Sequence, residues 1–297
     1  LAAIILFLYG LEEFSAEIRR VGGDALEEWL GRLTSSRWRG VILGALATAV
    51  IQSSSAVTSL AVALVDAGTI SFNSSLGILL GANIGTTSTA WLVSLKLESI
   101  GPVFIVLGAA LSAMPTRWKF LGKTVFYFGF IFFSLELVSH VLKPLQELPA
   151  VREILTRARS PLMGVIAGLV ITALVQSSSI TTGLAILLVQ QGMLAAAGAI
   201  PIVIGANIGT TSTGLIASLG MKRTGRRTAI ANLAFNTFGV LIFLPFLGGF
   251  SDIVVAHSEN PAIAVAWAHL IFNLVMAVAT LLVLRIFGDQ LIARFLA

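Results

Sequence analysis

The chain is 297 residues long, 57% hydrophobic, with a mean hydropathy of +0.96. Charged residues make up 11%, against about 25% in ordinary soluble domains, which excludes a soluble globular protein and predicts a polytopic membrane protein. The net charge of +5 lies in short connections between apolar stretches, a topology signal and not a nucleic-acid surface, and the absence of cysteine excludes disulfides and thiolate metal sites.

In chain order, apolar segments long enough to cross a bilayer fall at roughly 1–18, 70–96, 100–116, 119–142, 194–220, 226–250 and 262–288, given the ~20 residues a spanning helix needs. Segment 24–35 sets Asp24, Glu27, Glu28 and Arg32 beside Leu26, Trp29, Leu30 and Leu33, the pattern of a short amphipathic interfacial helix. Two further apolar stretches, 38–67 and 161–192, are interrupted near their middles by Gln52-Ser53-Ser54-Ser55 and Gln176-Ser177-Ser178-Ser179. Each flank is too short to span as a straight helix, so each stretch is expected to be a re-entrant hairpin with the polar motif at its tip.

The two Gln-Ser-Ser-Ser motifs lie 124 residues apart. The nonapeptide GANIGTTST at 81–89 recurs at 205–213 on the same offset. So do Gly40 with Gly164, Gly44 with Gly168, Thr48 with Thr172, Thr58 with Thr182, Gly68 with Gly192, Glu12 with Glu136 and Ser15 with Ser139. The chain is therefore an internal duplication: a first repeat over 1–118, a second over 119–250, and a C-terminal transmembrane helix within 251–297. A local echo relates Ala229-x-x-Asn232-x-x-Phe235-Asn236 to Ala266-x-x-His269-x-x-Phe272-Asn273. The fold class expected is an all-α polytopic membrane protein of two inverted-topology repeats. Each repeat holds a re-entrant helical hairpin and a transmembrane helix (70–96, 194–220) broken at Gly81-Ala82-Asn83 or its copy.

Polar groups in apolar segments cost several kcal/mol each when uncompensated, so a duplicated pair of polar motifs marks a function. A hard cation such as sodium takes oxygen ligands, which hydroxyls, amide carbonyls and unwound main-chain carbonyls supply without fixed charge. Candidates are Ser55, Thr58, Asn83, Thr86, Thr87 and Ser88, and in the second unit Ser179, Thr182, Asn207, Thr210, Thr211 and Ser212; Thr89 and Thr213 close the two blocks. An oxyanion takes donors, which Gln52–Ser55 and Gln176–Ser179 offer through hydroxyls, amides and the N–H groups opening each second arm. Glu12, Glu13, Glu136 and Asp66 are further candidates for ion groups. Asn232, Asn236, His269 and Asn273 have the pattern of interhelical hydrogen-bond glue. The three histidines show no metal-ligand spacing, and neither serine motif has a His or Lys in its segment to serve as a base, so an intramembrane serine enzyme is not expected.

With hairpins, each unit crosses the membrane three times and the second is inverted. Of the 19 basic residues, Lys96, Lys143, Arg152, Arg157 and Arg159 then fall on one side and the remaining 14 on the other, which is cytoplasmic by the positive-inside rule. Two spanning stretches in place of the hairpins would give 16 against 3 and parallel units, so charge alone does not choose.

The duplicated Gln-Ser-Ser-Ser, each followed by Gly-Ala-Asn-Ile-Gly-Thr-Thr, resembles the type II sodium-dependent phosphate cotransporter family over nearly the whole chain. The resemblance implies a multi-pass protein of the plasma membrane, not an enzyme, that couples sodium to inorganic phosphate symport by alternating access. It also implies that Gln52–Ser55 and Gln176–Ser179 bind phosphate and sodium, with the Asn83 and Asn207 blocks as companions. The large cysteine-bridged extracellular loop of animal members is not expected between the repeats, where the 143–160 connection is short, and features resting on that loop or on their C-terminal regulatory domain are not carried over. Another oxyanion, proton-driven transport, phosphate export and a channel are the alternatives.

Overall fold

The computed structural model describes residues 2–33, 36–95, 100–114, 119–142 and 160–296, with side chains described except at 19, 21–33, 119–120, 139–142 and 288–296. Every regular element among them is helical. In chain order these are α1 (Ala2–Leu33), α2 (Arg37–Ile51), α3 (Ser54–Asp66), α4 (Phe72–Ser94), α5 (Gly101–Ala113) and α6 (Lys119–Leu142). The second half holds α7 (Pro161–Val175), α8 (Ser178–Gln190), α9 (Ala196–Ala217), α10 (Arg223–Phe243), α11 (Leu247–Ala256) and α12 (Pro261–Leu296). Among the described residues, five stretches are long and apolar enough to cross a membrane: Phe72–Ser94, Leu121–Val138, Ala196–Gly220, Arg223–Ala256 and Pro261–Phe287.

Local chemistry sets the boundaries, and it does so twice. Ser36, Ser53 and Ser71 cap α2, α3 and α4 by accepting from the N–H groups of Arg39, Ala56 and Ser74. Ser177 caps α8 through Ile180, and Pro161 opens α7 at a position where a missing N–H costs nothing. Helices α3 and α8 end at Gly68 (φ +76°) and Gly192 (φ +67°). At each, paired bonds close the last turn: Gly68 N–H to Val65 O with Thr69 N–H to Leu64 O, and Gly192 N–H to Val189 O with Met193 N–H to Leu188 O.

Helix α2 packs along α4, and α7 along α9, by direct backbone approach. A Cβ on Gly44 would strike the carbonyl oxygen of Ile78, and one on Gly168 that of Ile202, the same contact 124 residues on. Arg37, opening α2, bonds to Asn73 near the start of α4, and Gln52, ending α2, bonds to Ser88 near its end. Helices α2 and α4 therefore run in the same direction, and α3 must return between them; α7, α8 and α9 repeat this path. The apolar core gathers Phe7 and Leu11 of α1, Ile131 of α6, Ile186 and Leu187 of α8, Ile200 and Ile204 of α9, and Val265 and Phe272 of α12.

Three expectations are corrected. The helices expected to break at Asn83 and Asn207 are continuous, because Gly81 and Gly205 serve as contact points for the carbonyls of Val41 and Val165 and not as hinges. The backbone of 24–33 continues α1 without interruption, so the amphipathic segment is no separate helix; its side chains lie outside the described residues. The expected span at 100–116 is a helix of 13 residues, about 20 Å at 1.5 Å per residue, short of a ~30 Å hydrocarbon core. The expected span at 1–18 falls within α1. The 143–159 connection and the environment of His140 lie outside the described residues.

Candidate functional site

Each polar motif ends one helix and starts the next. Gln52 (φ 57°) and Gln176 (φ 60°) are the positive-φ residues other than glycine among the described residues, and each is the C-cap of its first arm. That left-handed backbone costs about 1–2 kcal/mol for an L-residue, and here the side chain gives a reason to keep a non-glycine. Gln52 Nε2 donates to Ser88 Oγ at 2.8 Å and to Ala49 O at 2.5 Å, while its Oε1 accepts from Thr89 Oγ1 at 2.8 Å. Gln176 repeats the set with Ser212 Oγ at 2.9 Å, Ala173 O at 2.5 Å and Thr213 Oγ1 at 2.8 Å. Each tip is thus bolted to the long helix of its own unit.

The two tips meet. Ser54 Oγ and Ser178 Oγ, equivalent residues of the two units, lie 3.5 Å apart and are both buried. Ser55 Oγ donates across to Gln176 O at 3.4 Å, and Thr89 Oγ1 and Ser179 Oγ are 3.3 Å apart. Beside the junction lies a cavity of about 350 Å³ lined by Gln52–Ser55, Val175–Ile180 and, from α1, Leu11, Glu12 and Ser15. All eight motif residues expected to bind substrate border it. Ser53 and Ser177 hold their hydroxyls on the N–H groups of Ala56 and Ile180, so their caps aim the starts of α3 and α8 at the cavity. The first N–H groups of those helices have no partner within the helix, and the last carbonyls of α2 and α7 likewise lack one. The cavity therefore meets positive and negative helix ends together, with hydroxyls between them.

The expected cation ligands divide. Ser55 and Ser179 border the cavity, and Ser88 and Ser212 receive the Gln amides. Thr58 is buried against Gly214, and the buried Thr182 hydroxyl has no hydrogen-bond partner among the described residues. Thr86, Thr87 and Ser88 donate to the carbonyls of Ala82, Ile84 and Gly85, and Thr210, Thr211 and Ser212 to those of Ala206, Ile208 and Gly209. These are bonds to the preceding turn, which keep the helix continuous while leaving oxygen lone pairs.

Asn83 and Asn207 do not come to the cavity. Asn83 Nδ2 donates to Asn236 Oδ1 at 2.8 Å, and Asn207 Nδ2 to Asn273 Oδ1 at 3.1 Å. Asn236 and Asn273 in turn donate to the main-chain oxygens of Asn232 and His269, both at 2.9 Å. The echo between α10 and α12 is thus an interhelical link, as expected of glue, and each copy secures one unit's long helix. Both ring nitrogens of the buried His269 lack a hydrogen-bond partner among the described residues.

Asp66 accepts from Lys222 N–H at 2.7 Å, and its counterpart Gln190 donates to Val93 O at 2.9 Å. Both fasten the far end of a second arm to the other unit. Ser15 is the cavity residue that motif matching passed over. It donates to Gln52 O at 3.4 Å, and its one sequence signal was the pairing with Ser139.

Comparison with known proteins agrees with this geometry. The Na+/Pi-cotransporter family matches residues 6–140 and again 142–284, nearly the whole chain in two copies. YqeW of Bacillus subtilis, an uncharacterised protein, is 30% identical over 289 residues, covering 96% of this chain and 94% of its own. The putative inorganic phosphate export protein YjbB of Escherichia coli is 27% identical over 284 residues, 95% of this chain but 52% of that protein, so the chain spans about half of its length. Sodium-dependent phosphate transport protein 2A of Rattus norvegicus is 40% identical over 92 residues, 29% of this chain and 14% of that protein. No solved structure matches. The chain belongs to the Na+/Pi-cotransporter family, a family of transporters and not a class of enzyme.

Proposed function

We propose that this protein is a secondary active transporter of the plasma membrane that moves inorganic phosphate with sodium by alternating access. The observation that carries the reading is the meeting of equivalent tips at Ser54 and Ser178 beside a polar cavity. Phosphate binds the N–H groups opening α3 and α8 and the hydroxyls of Ser54, Ser55, Ser178 and Ser179. Sodium takes oxygens from Ser55, Thr58 and Ser88 in one unit and Ser179, Thr182 and Ser212 in the other. No lysine or arginine lines the cavity among the described residues, so a phosphate held there needs its charge balanced by helix ends and by bound sodium. That need is the physical source of coupling.

The hairpins enter and leave the membrane on one side, and the two units are inverted. Contact directions support this. Helix α3 leaves its tip along α9, with Thr58 beside Gly214 and Asp66 at Lys222. Helix α8 leaves along α4, with Ser179 at Thr89 and Gln190 at Val93. Since α3 runs opposite to α4, and each second arm runs with the other unit's long helix, α4 and α9 run in opposite directions.

The test is uptake of radiolabelled phosphate into proteoliposomes with and without an inward sodium gradient, beside a Ser54→Ala/Ser178→Ala double variant. Hydrogen bonds to a charged group are worth about 1.5–3 kcal/mol, so the variant is expected to lose at least ~100-fold in phosphate affinity and its sodium-dependent uptake. Uptake indifferent to sodium would remove the symport reading. The name of the YjbB relatives favours export as a second reading, and reversing the gradient measures direction in the same vesicles. Competition by sulfate or arsenate measures anion selectivity.

A further inference from the structure

We propose that Glu12 is the coupling carboxylate of the central cavity, the group that makes anion binding conditional on a bound monovalent cation. This rests on the phosphate reading above and names the source of its sodium dependence. Of the described lining residues, Glu12 alone is ionisable. It makes no ion pair among the described residues; the charged contacts of α1 run from Glu17 to Arg20 at 2.5 Å and to Lys123 at 3.7 Å. Its place is fixed by the same helix face. Ser15, three residues on, donates to Gln52 O at 3.4 Å and so ties α1 to the first tip. The repeat offset pairs Glu12 with Glu136, but Glu136 does not line the cavity, so among the described residues the carboxylate stands on one side of the site only, with Leu11 and Ser15 of the same helix.

A carboxylate in an anion site opposes the anion unless a cation joins them. A sphere of 350 Å³ is roughly 9 Å across, comparable to the ~8 Å Debye length at physiological ionic strength, so salt screens Glu12 from a bound anion only partly. At such a separation, with an effective dielectric of about 20, the repulsion lowers anion affinity on the order of tenfold. A sodium ion between the two reverses the sign. The residues that line the cavity carry the oxygens it needs: the Glu12 carboxylate, the serine hydroxyls, and the main-chain carbonyls of Gln52 and Gln176. Each of those carbonyls accepts one long hydrogen bond of 3.4 Å and keeps a lone pair.

The experiment is equilibrium binding of radiolabelled phosphate to the purified full chain, in sodium chloride and in choline chloride. The wild type, Glu12→Gln, Glu12→Asp and Glu13→Gln are compared by the ratio of the two affinities. Glu13 is half-buried on the same helix and does not line the cavity, so it controls for the charge of α1. We expect Glu12→Gln to raise phosphate affinity without sodium on the order of tenfold and to shrink the ratio by a similar factor. Glu12→Asp and Glu13→Gln should keep the wild-type ratio. A folded Glu12→Gln protein with the wild-type ratio overturns the role of Glu12 alone, as does a Glu13→Gln ratio shrunk to the same degree. A folded wild type that binds no phosphate in either salt overturns the phosphate reading, and this role with it.

Discussion

Gln52 and Gln176 each do two things at once. Each holds a left-handed backbone that lets an arm end abruptly, and each spends both ends of its amide on the neighbouring long helix. The two roles separate by substitution. Gln52→Ala keeps the ~1–2 kcal/mol backbone cost and loses the amide bonds, leaving the buried Thr89 hydroxyl only the longer contact to Ser179 Oγ at 3.3 Å, a loss of about 1 kcal/mol. Gln52→Gly loses the same bonds but removes the backbone cost. Thermal unfolding in detergent should therefore rank wild type above Gln52→Gly above Gln52→Ala, and phosphate uptake should fall in both variants. Equal midpoints for the two variants would show that the backbone strain is not felt. At this scale the sequence was informative: every residue of both motifs borders the cavity, because a polar run in an apolar segment has few places to go. Ser15 was not legible, since a lone serine in a helix normally bonds its own preceding turn, and Ser15 does so with Leu11 O at 2.9 Å as well as reaching Gln52.

Among the elements, the α2–α4 and α7–α9 pairs show why pattern reading placed a turn at each polar motif and misjudged the long helices. Gly, Asn and Thr in succession have the composition of a helix break. In the folded protein the glycines let two backbones touch, and the hydroxyls return to the helix's own carbonyls, so both signals are absorbed without a break. Sequence supplies the residue, and only the neighbouring helix decides which property is used. The packing role is testable with its own control. Gly44→Ala would drive a methyl into the backbone of Ile78, where nothing flexible can yield, and overpacking of this kind costs about 1–3 kcal/mol. Gly248→Ala, in α11 with nothing within 4 Å of the added Cβ, should stabilise by up to about 1 kcal/mol from helix propensity. Opposite shifts in unfolding midpoint are expected. A neutral Gly44→Ala would mean that α2 and α4 do not touch as described.

The whole molecule raises a question that charge counting left open, since hairpins and full spans gave splits of 14 to 5 and 16 to 3 with the same sign. Long-range contacts carry what the charges do not, because the pairing of Asp66 with Lys222 and of Gln190 with Val93 has no signature in either segment alone. The starts of α2 and α7 point to opposite faces of the membrane if the units are inverted, and to the same face if they are parallel. The chain has no cysteine, so single reporters need no background removed. Ser36 and Ser160 are equivalent residues 124 apart, each exposed and each just before its arm. In sealed, oriented vesicles, a membrane-impermeant maleimide should label Ser36→Cys from the cytoplasmic side only, because Ser36 shares its end with Arg37, Arg39 and Lys222. Ser160→Cys should label from the outside only. Labelling of both from one face would make the repeats parallel and remove the inverted arrangement on which the proposed function rests.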